Sequence, residues 1–120
     1  MSLKKGFNVA AFVSSIVLAV AAGCQNPTAG FNPNASVSAT YSSISASILN
    51  PACVNCHGGS GGYSFDNYSN TLKAVAKGNP GASPLYTAVN SGVMPKGGPA
   101  LSSSQVTAIF NWIADSAKNN

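Results

Sequence analysis

Between Val37 and Lys118 the chain shows four short apolar patterns of helical period, separated by long stretches of Gly, Pro, Ser and Asn. Four short helices with that many glycines between them bury little apolar surface. A domain of about 80 residues is marginal even when well packed, and a disulfide, a metal or a bound cofactor commonly completes one that is not. Something other than apolar side chains is therefore expected to fill the middle of this domain.

The helical patterns define the class. Val37, Tyr41, Ile44 and Ile48 fall at i, i+4, i+7 and i+11, opposite a face of mostly Ser, Ala and Thr, which predicts a helix over about residues 38–49. Pro51 disfavours helical geometry at Asn50 and is expected to end it. Asn67 is placed to cap a second helix through about Lys77, with Leu72, Val75 and Ala76 facing inward and Gly78 as the stop. Ser83 and Pro84 have the N-cap and first-turn character of a third, which carries Leu85, Tyr86 and Val89. The segment SGVMPKGGP reads as loop. Ser102 and Gln105 have the spacing of a capping box, and Val106, Ile109, Phe110 and Ile113 follow as an apolar stripe flanked by Trp112. No segment alternates as a strand does, so the expected class is all-α.

The N-terminal segment has a different character. MSLKKGFNVAAFVSSIVLAVAAGC combines Lys4 and Lys5, an apolar run from Phe7 to Ala22 and small residues before Cys24, the layout of a secretory signal peptide. Asn8, Ser14 and Ser15 interrupt the run, which is shorter than the ~20 residues of a spanning helix, so cleavage is expected rather than a permanent anchor. AAGC resembles a bacterial lipobox, in which the cysteine is acylated and becomes the mature N-terminus; Ala21 stands where that motif usually has Leu. This reading makes residues 1–23 the signal, Cys24 the lipid attachment point, 24–36 a flexible tether and 37–120 the domain. Ordinary cleavage nearby, with Cys24 left as an odd thiol, is the alternative. The twelve residues QNPTAGFNPNAS reach at most ~40 Å when extended. After cleavage Lys73, Lys77, Lys96 and Lys118 face Asp66 and Asp115, with no Arg and no Glu. Four scattered lysines make no nucleic-acid footprint, so that class is excluded.

Cys53, Cys56 and His57 lie within five consecutive positions, CVNCH. C-x-x-C-H is the haem-attachment signature. Two thiols add to the vinyl groups of one porphyrin, and this spacing sets both sulfurs on one side of a helical turn while carrying the next imidazole to the iron. Structural zinc needs four ligands, and the mature chain adds only Cys24 or a carboxylate. A thioredoxin-like pair wants a βαβ context. A plain Cys53–Cys56 disulfide leaves the adjacent His unexplained. Haem iron has a second axial position, and Met94 is the sole sulfur candidate, because the mature chain has no other Met and no second His. Its alternative use is as core filler.

From about Val37 to Lys118 the chain resembles a bacterial mono-haem c-type cytochrome domain of the class I kind: a helix running into CxxCH, the loop GVMPKGG, and the closing helix LSSSQVTAIFNWI. The resemblance implies a small all-α fold of about four short helices around one haem c per chain. Carried over by position, Cys53 and Cys56 match the thioether cysteines, His57 the proximal ligand and Met94 the distal one. The carbonyl that orients the proximal imidazole has a candidate in Pro80, although its distance from His57 in sequence does not match the mitochondrial-type spacing.

The implied function is electron transfer rather than catalysis, with redox proteins as partners, a monomeric state, and a lipid-held position on the periplasmic side of a bacterial membrane. Gln25 after Cys24 tilts that towards the outer membrane; a soluble periplasmic protein is the alternative. A haem enzyme or gas sensor with an open distal site is the functional rival, and the mature chain has no second His, Arg or Glu to assist peroxide cleavage. A cofactor-free lipoprotein is the third reading.

Overall fold

The helical period that begins at Val37 does form a helix, and it runs further than the sequence suggests. The structure, a computed structural model, describes residues 29–58 and 62–120. The expected signal segment 1–23 and Cys24 lie outside the described residues. Helix α1 (Tyr41–Ile44) starts at Thr40, an extended residue whose side chain accepts from the Ser43 amide. Its next free donors are met from the far end of the chain: Tyr41 N–H donates to Asn120 Oδ1 at 3.0 Å and Ser42 N–H to the Asn120 carbonyl at 2.8 Å. A helix start leaves its first amides without internal partners, so this arrangement satisfies three of them with two residues.

Pro51 does not end this helix. Ser45–Cys53 is π-helical with Pro51 inside it, and α2 (Val54–His57) continues without a break. Proline lacks an N–H and its ring crowds the carbonyl four residues back. The wider turn relieves that crowding by shifting the bonding register, as in the Val54 N–H bond to the Leu49 carbonyl five residues earlier. Residues 41–57 are therefore one run, and the CVNCH segment is its last turn and a half rather than a loop beyond it.

The second helix is shorter than expected. Asn67 caps it through the Asn70 amide at 2.9 Å, but α3 (Tyr68–Thr71) tightens into a 3₁₀ turn at Leu72–Ala74 and ends with Val75 extended. Thr71 and Ala74 are the fully buried residues here, while Leu72, Val75 and Ala76 are half-buried. A 3₁₀ turn (Pro80–Ala82) leads to α4 (Pro84–Asn90). Ser83 precedes α4 without a side-chain cap bond; its buried hydroxyl instead accepts from Ala76 N at 2.8 Å and donates to the Asn79 carbonyl at 2.9 Å. Helix α5 (Ser103–Ala114) has the full Ser102/Gln105 capping box.

The core lies between residues 41–57 and α5, where Ile44, Ile48 and Leu49 meet Ile109, Trp112 and Ile113, all at 1% exposure or less. Trp112 is central to this face rather than flanking it. Its Nε1–H donates to the Lys118 carbonyl at 2.8 Å. Phe110 is 41% exposed and packs edge-on against Tyr86. The face is rotated because Gln105 is buried, with Nε2 donating to the Asn32 and Ala35 carbonyls at 2.9 and 3.3 Å. Those carbonyls belong to the expected tether, and Phe31 packs on the core as well. The chain is thus docked from Phe31 onwards. Among the described residues there is no strand, and no helix is long and apolar enough to cross a membrane.

Asn120→Ala removes one capping acceptor from α1, and a loss of about 1 kcal/mol of unfolding free energy is expected from denaturant titration.

Candidate functional site

The end of the 41–57 run faces α4 and the loop after it across a cavity of about 600 Å³. Ala52, Cys53, Cys56 and His57 form one wall, and Leu85, Ala88 and Val89 of α4 form another. Met94, Pro95 and Lys96 contribute from the loop, so the sequence-predicted residues 53, 56, 57 and 94 all line one space. Its size falls within the ~300–1,000 Å³ of small-molecule and cofactor sites, and its lining is mainly apolar, as such sites are.

The loop is tied to α4 rather than free. Gly92 takes a positive φ of 78° just past the helix, a conformation that glycine adopts without strain. The chain then turns back, and Met94 N–H donates to the Ala88 carbonyl at 3.2 Å. This bond sets the Met94 side chain at the wall built by Ala88 and its neighbours.

His57 is held from both ends. Its ring Nδ1 lies 2.9 Å from the Tyr63 carbonyl, and its own carbonyl accepts from Phe65 N–H at 2.9 Å. A carbonyl only accepts, so Nδ1 carries the proton and Nε2 of the neutral ring keeps its lone pair for a metal. The ring also meets Phe65 edge-on at 5.3 Å between centroids. The Pro80 candidate is corrected by this geometry: the Pro80 carbonyl accepts from Ser83 N–H in its own 3₁₀ turn. Sequence reasoning missed Tyr63. The one signal was the Gly-rich segment after His57, which marks a chain that can fold straight back. Gly58 permits that reversal at close quarters, since a Cβ there would sit 2.9 Å from the Val54 carbonyl.

The returning segment is fixed by Asp66. Its Oδ1 accepts from Ser64 Oγ at 2.7 Å, Asn70 Nδ2 at 2.9 Å and Asn67 Nδ2 at 3.3 Å. Hydrogen bonds from Asn70, then Ser64, hold this exposed carboxyl below its usual range.

Cys53 is a buried free thiol whose pKa desolvation pushes up to about 12. It is therefore a protonated thiol at neutral pH. Since Cys53 is free, the simple Cys53–Cys56 disulfide is not formed. Among the described residues no three His, Cys, Asp or Glu side chains gather as a metal site.

Residues 53–98 match the protein family described as Planctomycete cytochrome C. The match supports a c-type cytochrome domain. The match begins at Cys53 and runs past Met94, so it takes in every residue of the cavity lining except Ala52. No curated protein and no solved structure matches the chain. The cofactor of such a domain is haem c, and the site fits one: an apolar cavity, two sulfurs a helical turn apart on its wall, an oriented imidazole beside them and a thioether from the loop.

Because the Asp66 carboxyl is held below its unfolded value, its contribution is complete above about pH 4 and is lost as pH falls through the folded value. Thermal unfolding at pH 6 is expected to show Asp66→Asn melting below wild type, with the gap closing as pH drops below about 4.

Proposed function

We propose that this cytochrome is an electron carrier in which Cys53 and Cys56 anchor one haem c and His57 and Met94 occupy both axial positions. The observation that carries the reading is that Met94 lines the same apolar cavity as His57, whose Nδ1 is already committed to the Tyr63 carbonyl. When bound, the haem supplies a one-electron ferrous–ferric couple. The protein's part is to hold ligand geometry constant through that change. His57, fixed by Tyr63 and Phe65, cannot rotate away, and Met94 is held through its backbone bond to Ala88. A thioether ligand favours the ferrous state and raises the reduction potential. Apolar walls at Phe65, Leu85 and Val89 act in the same direction by keeping water from the extra positive charge of the ferric form.

A carrier needs no substrate site, and a saturated iron has no vacancy for oxygen or peroxide. The absorption spectrum of the oxidised holoprotein tests this. A weak far-red sulfur-to-iron band is expected in wild type, with its loss and a lower midpoint potential in Met94→Ala; a five-coordinate, high-spin wild type overturns the reading.

The setting proposed for the carrier is the periplasmic side of a bacterial membrane, held by a lipid on Cys24 after removal of residues 1–23, with redox proteins as partners. The lipobox-like AAGC and the basic, apolar leader support it. Intact mass of the membrane-extracted protein is expected to equal residues 24–120 plus one haem and a lipid. Cys24→Ala is expected to release the protein to the soluble fraction, and an unchanged membrane fraction overturns the lipid anchor.

A further inference from the structure

Haem c brings two carboxylates as well as an iron. Its propionates project from the edge of the macrocycle opposite the vinyl groups, so anchoring the vinyl edge at Cys53 and Cys56 sends them away from that wall. A carboxylate beside apolar side chains is costly unless a cation or hydrogen-bond donors meet it. The cavity lining contains one side chain of permanent charge, Lys96.

Lys96 has the properties such a partner needs. Its backbone follows the buried Pro95 and precedes Gly97, which turns the chain with φ of 78°, so the root of the side chain is fixed at the cavity while the stem is exposed. Its ammonium is not committed elsewhere. The ion pair among the described residues joins Lys118 to Asp115 at 3.0 Å, and Asp66 is occupied by Ser64, Asn67 and Asn70. We propose that Lys96 is a cofactor-positioning residue whose ammonium pairs with a haem propionate at the cavity mouth. The pair sits two residues from Met94, so it fixes the carboxylate edge to the loop proposed to supply the distal ligand. A positive charge there also stabilises the ferrous state relative to the ferric one, in the same sense as the thioether.

The proposal rests on the haem lying in this cavity, and the test separates the two. Holoproteins carrying Lys96→Gln and Lys96→Arg are compared with wild type by redox titration and by resonance Raman spectroscopy of the propionate bending modes. Lys96→Gln is expected to shift the propionate modes and lower the midpoint potential, while keeping the far-red band of a bound Met94. Lys96→Arg is expected to return both towards wild type. Unchanged propionate modes in Lys96→Gln overturn the pairing even if the potential moves, since a charge acting through space alone shifts only the potential. An arginine variant no nearer to wild type than the glutamine variant overturns it too. Failure of the haem site itself reads differently, as a wild type without covalent haem.

Discussion

The packing of residues 41–57 against α5 is the contact on which the rest of the structure depends. Large apolar side chains meet there from both sides, Ile44, Ile48 and Leu49 against Ile109, Trp112 and Ile113. Burial of this kind contributes roughly 1.5–3 kcal/mol for each large side chain. The C-terminal residues lock it: Trp112 holds the Lys118 carbonyl, Tyr68 Oη holds that of Ala117, and Asn120 caps α1. Because the first half of the 41–57 run is fixed in this way, its last turn is fixed too. Cys53, Cys56 and His57 inherit their placement from contacts made about one to three turns earlier.

The other wall of the cavity has no such core of its own. Helix α4 contributes Leu85 and Val89, and the loop after it hangs on the Met94–Ala88 bond. Ala52, Phe65, Leu85 and Val89 are buried in the core cluster and also line the cavity. A porphyrin placed there would add to their packing and supply apolar material to a small domain. The cofactor is then a structural element as well as a redox centre. Fold and function draw on the same cavity.

What the sequence made legible follows from this division. Period and caps identified the helices wherever local chemistry decided the outcome: Asn67, the Ser102/Gln105 box, and the Ile44 and Ile48 stripe all behave as read. Readings failed where a distant partner decided. Gln105 was legible as a capping-box residue, but the Asn32 and Ala35 carbonyls that hold it inside were not, and with Gln105 buried the inner face of α5 takes in Trp112 and leaves Phe110 exposed. Pro51 looked like a stop because the rule assumes α-helical bonding, and a π-helical register escapes it. Cys53, Cys56, His57 and Met94 could be picked out by residue type and rarity, and all four do line one cavity. The backbone oxygen that orients His57 could not, since a carbonyl has no residue identity and only the path of the loop selects Tyr63.

The surface around the cavity bears on how the proposed carrier meets a partner. Asp115 is paired with Lys118, and the two haem propionates would nearly cancel the small positive charge that remains, so long-range steering is weak. Two of the three exposed large apolar residues among the described residues sit close to the ligand-bearing segments instead. Tyr63 is 39% exposed and lines the cavity, and Val93, 63% exposed, immediately precedes Met94. Recognition at that rim would be short-ranged and nearly insensitive to salt, because apolar contacts act only on touching. Short-range recognition makes encounter frequency the limiting factor. With the lipid proposed on Cys24, the docking of residues 31–35 on α5 would leave few residues between anchor and domain, which would raise that frequency by confining the domain to the layer of membrane-bound partners.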